Sequence, residues 1–228
     1  MSPFLEGIRQ GLALLFPPGA EITGIVLLSL GVSGAATLLA ALAALPASLA
    51  LAAFDFRGKR AVVGILQTSL AVPAVLIGLL VYLLLSRRGP LGPLGLLYTP
   101  GAMVIAQALL AFPLIAALSY SALKGTAREA IDLAHSLGAS PWQTALAVVR
   151  QGRFPFLTAL ITGFSRVIGE TGMTLMVGGN IKGETRVMTT AISLETMKGN
   201  FELGIALGVV LLTVALVVNA LLQTAQGK

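Results

Sequence analysis

The stretch Thr126-Ala127-Arg128-Glu129-Ala130-Ile131-Asp132-Leu133-Ala134-His135-Ser136-Leu137-Gly138-Ala139-Ser140-Pro141-Trp142-Gln143 decides how the rest of the chain is read. Thr126 to Glu129 has the form of a capping box: the Glu129 amide donates to the Thr126 hydroxyl, and the Glu129 carboxylate accepts from the Thr126 amide. Ala127, Ala130, Ile131, Ala134 and Leu137 recur at helical spacing, and Gly138 suits the left-handed residue that stops a helix. Ser140-Pro141-Trp142-Gln143 repeats the device, with Ser140 as cap, Pro141 at the first helical position and Gln143 closing the box. Trp142, Ala145, Leu146 and Val149 form the apolar stripe of this second helix. The pattern predicts two short helices joined by Leu137-Gly138-Ala139, within a polar island at 124–155. On both sides more than twenty residues pass almost without charge. A compact polar element between two such runs is expected to serve a partner on its side of a membrane.

Composition supports the membrane setting. Of 228 residues, 56% are hydrophobic and 11% charged, against roughly 25% charged in soluble domains. Five apolar segments approach or exceed the roughly 20 residues that cross a bilayer. They run from Ile22 to Phe54, Ala61 to Leu85, Thr99 to Leu123, Phe156 to Gly179 and Leu203 to Leu222. The first contains Pro46 and is longer than a crossing needs, so tilting or kinking is expected. Pro73 and Pro113 interrupt the next two, which is tolerable where neighbours absorb the freed backbone groups. Residues 3–16 set Leu5, Ile8, Leu12 and Leu15 on one stripe beside Glu6, Arg9 and Gln10, too short to span, and read as an interfacial helix ended by Pro17-Pro18-Gly19. No cleavable signal peptide is read at the N-terminus, where Glu6 and Arg9 lie and no small-residue cleavage site follows a basic start. The fold class expected is an all-α integral membrane protein. It has five transmembrane helices, the N-terminal interfacial helix and a helical hairpin, and residues 1–228 form a single transmembrane domain.

The 124–155 island resembles the cytoplasmic EAA loop of binding-protein-dependent ABC importer permeases. That family has Glu-Ala-Ala, three residues and then Gly; here Asp132-Leu133-Ala134, His135-Ser136-Leu137 and Gly138 take those places, and Leu137-Gly138-Ala139-Ser140 matches well. The departures are Asp at 132, Leu at 133, and Arg150-Gln151 where many relatives have Leu-Pro. The resemblance implies that Glu129, Asp132, Leu133, Ala134, Leu137, Gly138, Ala139, Ser140 and Trp142 couple the chain to an ATPase subunit. An amphipathic hairpin lying on the membrane surface is the plainer alternative. With this loop inside, the same side holds Arg57, Lys59, Arg60, Lys124, Arg128, Arg150, Arg153 and Lys228 against Asp55, Glu129 and Asp132. The opposite side holds Arg9, Arg87, Arg88, Lys182, Arg186 and Lys198 against Glu6, Glu21, Glu184, Glu195 and Glu202. The excess of basic residues inside agrees with a cytoplasmic loop, an N-terminus outside and a C-terminus inside.

A second site is Arg166-Val167-Ile168-Gly169-Glu170-Thr171-Gly172, in the middle of the fourth apolar segment. A charge at the bilayer centre costs roughly 2.5–3.5 kcal/mol on insertion scales, so an unpaired, lipid-facing charge is disfavoured. Arg166 and Glu170 are four apart, on one helix face, and close enough to pair. Gly163, Gly169 and Gly172 with Thr162, Ser165 and Thr171 make the surroundings small and hydroxyl-rich. Two readings stand. The pair fixes helix register, or Arg166, Glu170, Thr171 and Gly172 line a pathway or gate.

Arg-x-x-Gly-Glu-x-Gly is similar to the corresponding stretch of molybdate-type permeases. Met176-Val177-Gly178-Gly179-Asn180-Ile181, Thr185 to Ile192 and Leu194-Glu195-Thr196 resemble the tungstate branch, as does Ser86 through Ala106 with Gly89-Pro90-Leu91-Gly92 and Tyr98-Thr99-Pro100. The resemblance implies an importer of a tetrahedral oxyanion, tungstate before molybdate or sulfate, in the inner membrane. It further implies a homodimer, two copies of an ABC ATPase that bind ATP and magnesium, and a periplasmic or lipid-anchored oxyanion-binding protein. The polar stretch 180–202 is expected to form a short outer helix, either a surface for that binding protein or a solvated connector.

Several classes fall away. With no cysteine and one histidine, thiolate and histidine-rich metal sites are excluded. Gly178-Gly179-Asn180-Ile181-Lys182-Gly183-Glu184 lacks the Lys-Ser/Thr that a phosphate-binding loop needs, so the chain is expected to hydrolyse no ATP and hold no cofactor itself. A DNA-reading hairpin is disfavoured, because the second short helix has no basic residue before Arg150; the +6 formal charge reflects topology, not nucleic acid. A secondary transporter is the alternative of a different class, disfavoured by the lack of an obvious internal repeat.

Overall fold

The computed structural model describes residues 5–9, 19–124 and 126–224, without the side chains of residues 20, 126–128, 135, 141, 145, 221 and 222. The described residues form helices. α1 (Ala20–Ala53) is followed by α2 (Lys59–Thr68), a 3-10 turn (Ser69–Ala71) and α3 (Ala74–Leu85). A second 3-10 turn (Gly92–Leu94) leads to α4 (Pro100–Leu123), and then come α5 (Thr126–Ser136) and α6 (Pro141–Gln151). The chain continues through α7 (Arg153–Ile168), α8 (Gly172–Gly178), α9 (Met188–Met197) and α10 (Phe201–Thr224).

α1 is apolar all round, but its small and large residues lie on different faces. Ser29, Val32, Ser33, Ala36, Thr37, Ala40, Ala44 and Ser48 are buried, while Leu27, Leu38, Leu39 and Leu42 are exposed. The small face lets the backbone of α1 approach α4, which meets it with Ala102, Ala106 and Ala111 in the shared core. The leucines on the other face suit lipid. Pro46 lies inside α1 and Pro113 inside α4, so both helices continue through their prolines. Thr99 caps α4, accepting from the Ala102 amide at 3.4 Å.

Two of the five expected crossings are not continuous helices. At Val72-Pro73 the chain turns, and the segment Lys59–Ala71 lies at 98° to Ala74–Leu85. Proline has no amide hydrogen to carry a helix on, and it holds the preceding residue extended; Val72 has ψ of 124°. The Phe156–Gly179 segment divides at Gly169-Glu170-Thr171 into α7 and α8. With 16 residues, α7 is about 24 Å long, short of a bilayer core of about 30 Å. Among the described residues, three helices are long and apolar enough to cross a membrane, or four if the bent α2–α3 pair counts as one.

The half-helices α3 and α8 lie side by side, with Gly78 against Met173. A Cβ on Gly78 would stand 3.0 Å from the Met173 Cα, so this approach depends on a bare backbone. Residues 5–9 are helical, and Gly7 packs on Ile205 of α10. The rest of the expected interfacial helix, 3–4 and 10–16, lies outside the described residues.

The hairpin α5–α6 forms as expected. The Ser140 amide donates to Gln143 Oε1 at 2.8 Å and the Gln143 amide to Ser140 Oγ at 3.3 Å, which completes the second capping box. Gly138 has a φ of +68°. The Ala139 amide donates to the Ala134 carbonyl at 2.9 Å, the longer bond of a Schellman stop. The Thr126 hydroxyl, and with it the first capping box, lies outside the described side chains.

Candidate functional site

Two surfaces collect the residues singled out in the sequence. The first is one side of α7. Arg166 Nη1 donates to Glu170 Oε2 at 2.8 Å, so the expected pair exists. It is unequally covered: 45% of the Arg166 side chain is exposed, against 12% for Glu170. Thr158, Thr162, Ser165 and Gly169 are exposed at three- to four-residue steps, with Arg166, also exposed, four residues beyond Thr162. They therefore form one polar stripe along α7. The opposite face of α7 carries Ala159, Gly163, Phe164 and Val167, all buried. A helix in lipid turns its apolar face outward, and α7 does the reverse. Its outward face is complete only beside water or another polar protein surface.

The stripe continues past the helix end. Gly172 is exposed and Thr171 partly so, and the Thr189 hydroxyl donates to the Glu170 carbonyl at 3.1 Å. The irregular backbone at 169–171 is thus held by α9, while the Glu170 carboxylate is held by Arg166. The hydroxyls of Thr158 and Thr162 donate to the carbonyls of Phe154 and Thr158 at 3.1 and 2.8 Å. Ser165 Oγ donates to Asn219 Oδ1 at 3.0 Å, which ties the stripe to α10. The arrangement offers a cation and several hydroxyls along one line, with a carboxylate beside the cation that moderates its pull on an anion.

The second surface is the outer side of the hairpin. Glu129, Asp132, Leu133, Leu137, Gly138, Ser140 and Trp142 are exposed, Ala139 is partly so, and Ala134 is buried. Ala130, Ile131 and Val148 form the inner side, against Leu49, Ala52, Leu123 and Phe156. The apolar stripe of α6 faces away from the bundle: Trp142 is 77% exposed, Leu146 and Val149 are also exposed, and Thr144 and Val148 are buried. The reason lies in the bundle, which meets the hairpin along the Thr144–Val148 side and leaves the larger apolar residues outside. Ala145 lies outside the described side chains.

A buried polar chain was not anticipated. Ser33 Oγ donates to Gln107 Oε1 at 3.1 Å, and Gln107 Nε2 donates to Thr174 Oγ1 at 3.4 Å, joining α1, α4 and α8. Gln107 is the one amide side chain inside the apolar run of α4, and that isolation was the available signal. α9 also departs from expectation. It is a helix, but its first turn is buried, and the Met188 amide donates to Ser29 Oγ of α1 at 2.9 Å. The Glu195 carboxyl at its far end is held below the usual carboxylate range, chiefly by the hydrogen bond from Lys198 at 2.7 Å, with Asn200 adding a second. Arg186 and Lys182 both approach Glu21 at the start of α1, at 4.0 and 2.8 Å. Among the described residues no cluster of three metal-binding side chains occurs.

The family described as binding-protein-dependent transport system inner membrane component matches residues 36–226. The tungstate uptake system permease protein TupB of Peptoclostridium acidaminophilum is 41% identical over 228 residues, all of both chains. TupB of Campylobacter jejuni is 38% identical over 94% of this chain and 90% of its own. A probable anion ABC transporter permease of Haloferax volcanii is 44% identical over 88% of each. Weaker matches include permeases named for molybdenum and for sulfate transport. The outward polar stripe, the broken half-helices and the exposed hairpin are therefore features of an inner membrane component of a binding-protein-dependent transport system, the family to which this chain belongs.

Proposed function

We propose that the chain is the permease subunit of an ATP-driven importer that carries tungstate across the cytoplasmic membrane. The observation that carries this reading is the 41% identity, without a gap in coverage, to a permease named for tungstate uptake. As a family member the chain works with an ATPase and a binding protein. Two copies of the permease enclose the pathway, each joined to one ATPase subunit. The exposed stripe Thr158-Thr162-Ser165-Arg166 supports the dimer, since a second stripe across the axis replaces lipid with polar protein and water. Arg166 attracts a tetrahedral dianion, the small hydroxyl residues leave room for it beside the guanidinium, and Glu170 keeps the hold weak enough for release. Gly169 to Gly172 form the hinge of the gate.

α2–α3 and α7–α8 each make one interrupted crossing, which brings the count to five. Interrupted helices are at home where they line a cavity instead of lipid. The hairpin end is cytoplasmic and the N-terminus outside, in keeping with the basic residues that flank 124–155. Leu133, Leu137, Trp142 and Leu146 enter an apolar groove of the ATPase, rimmed by Glu129 and Asp132. Closure of the ATPase dimer on ATP pulls the two hairpins together and swings α7 between inward-open and outward-open arrangements. Hydrolysis takes place on the partner; this chain supplies the path.

The test is the reconstituted complex of permease, ATPase and binding protein in proteoliposomes. ATP hydrolysis and uptake are expected to be stimulated by tungstate at lower concentration than by molybdate, with sulfate ineffective. Equal responses to all three anions would overturn tungstate as the substrate. Uptake without the ATPase would move the chain to the secondary transporters.

A further inference from the structure

At the hairpin end of the bundle, between the α1–α2 turn and the end of α4, lies an open cavity of about 690 Å³. Asp55, Lys59, Arg60, Gln67, Tyr120 and Lys124 are among its lining residues. Lys59 is engaged: its ammonium donates to the Phe54 carbonyl and to Asp55 Oδ1, both at 3.0 Å. Among the described residues Arg60 and Lys124 form no ion pair, while Asp55, the carboxylate on the lining, pairs with Lys59, so cations outnumber carboxylates around this space. None of these groups belongs to the α7 stripe or to the outer side of the hairpin.

The surroundings say what kind of anion fits. Lys59–Ala71 lies at 98° to α3, so α2 turns away from the rest of this interrupted segment at the hairpin end. Phe54, Phe56, Val62 and Ile65 are exposed around the basic residues, Ile65 to 71%. Apolar side chains beside unpaired cations match a molecule with a negative head and hydrocarbon tails. Basic pockets between helices on the cytoplasmic side take anionic lipid head groups. A free oxyanion would use the cations and leave the apolar rim without a role.

We propose that this cavity binds the phosphate-bearing head group of an anionic phospholipid of the cytoplasmic leaflet. The phosphate sits between Arg60 and Lys124, Tyr120 and Gln67 supply neutral donors, and the acyl chains run along Phe54, Val62 and Ile65. Asp55 faces the head group from the side already paired with Lys59. Lys124 directly precedes the hairpin, so the lipid ties the entry of the coupling element to the turn after α1. The proposal rests on the orientation given above, which puts this end at the inner leaflet.

Native mass spectrometry of the assembled importer tests it, because lipid retention is read without reference to transport. Complexes titrated with phosphatidylglycerol are expected to keep one lipid per permease chain through activation that strips phosphatidylcholine. Arg60→Gln with Lys124→Gln should weaken retention on the order of 30-fold, taking the two surface charges as independent. Arg60→Lys with Lys124→Arg should keep it. Inorganic phosphate and tungstate at millimolar concentration should leave the lipid in place. Equal retention of both lipids, or unchanged phosphatidylglycerol retention in the double Gln variant, overturns the site. Displacement of the lipid by tungstate or phosphate overturns the lipid assignment in favour of a free-oxyanion site. If the double Gln variant does not assemble, the lipid comparison on the wild-type complex decides.

Discussion

Gly138 offers the sharpest test of the coupling hairpin. Its φ of +68° lies in the left-handed region, and a Cβ built there meets nothing within 4 Å. Substitutions therefore act through backbone conformation alone, not through crowding. A side chain in the left-handed region costs roughly 1–2 kcal/mol, more for a β-branched residue and little for Asn. Gly138→Val should thus cost about 2 kcal/mol, Gly138→Ala about 1, and Gly138→Asn a few tenths. At about 1.4 kcal/mol per factor of ten, Val lowers the population of the folded turn roughly 25-fold relative to its alternatives. The Ala139 to Ala134 hydrogen bond opens, and Leu133 and Trp142 lose their relative placement. Trp142 is the only tryptophan and is 77% exposed, so its emission reports directly on docking. Wild-type emission should shift to the blue when the ATPase binds. The shift should weaken in the order Asn, Ala, Val, in step with co-purification of the ATPase and with uptake, while all variants insert. Equal co-purification and uptake for Gly138→Val would refute the assignment of this hairpin to coupling.

Three further outcomes follow from the geometry. Removing one member of the Arg166–Glu170 pair leaves an uncompensated charge, so Arg166→Leu or Glu170→Leu alone should lower the yield of inserted protein. The double variant should recover yield but not proteoliposome uptake, and wild-type uptake by it would leave the pair as scaffold only. Gln107→Leu breaks both links of the Ser33–Gln107–Thr174 chain; at about 0.6 kcal/mol per polar contact in membranes, the unfolding midpoint of the purified permease should fall by a few degrees, and an unchanged midpoint would mean the chain contributes nothing. Gly78→Val drives a side chain into the Met173 backbone, where no rotamer gives relief, so a loss of about 1–3 kcal/mol is expected in a denaturation assay, with Gly78→Ala milder.

Helix by helix, the chain shows what a sequence carries alone. The capping residues Ser140 and Gln143, the stop at Gly138 and the long apolar runs 20–53, 100–123 and 201–224 are local signals, and each appears where the sequence puts it. The Arg166–Glu170 pair was legible for the same reason, since its partners lie only four residues apart in sequence. The direction each face points was not. In α1 and α4 nearly every residue is apolar or small, so periodicity does not say which side meets protein, and in α6 the stripe is legible but not whether bundle or partner covers it. That was decided by Ala106 and Ala111 of α4 accepting the small face of α1, and by the bundle taking Thr144 and Val148 and leaving Trp142 outside. The breaks at Pro73 and at 169–171 also belong to tertiary structure, because a proline or a glycine permits a turn and only its neighbours make the turn stable. Gly78 against Met173 and Thr189 on the Glu170 carbonyl are those neighbours, and both contacts cross more than fifteen residues of sequence. Identity and chemistry were therefore written along the chain, while the path and its gate exist only once distant half-helices are packed together.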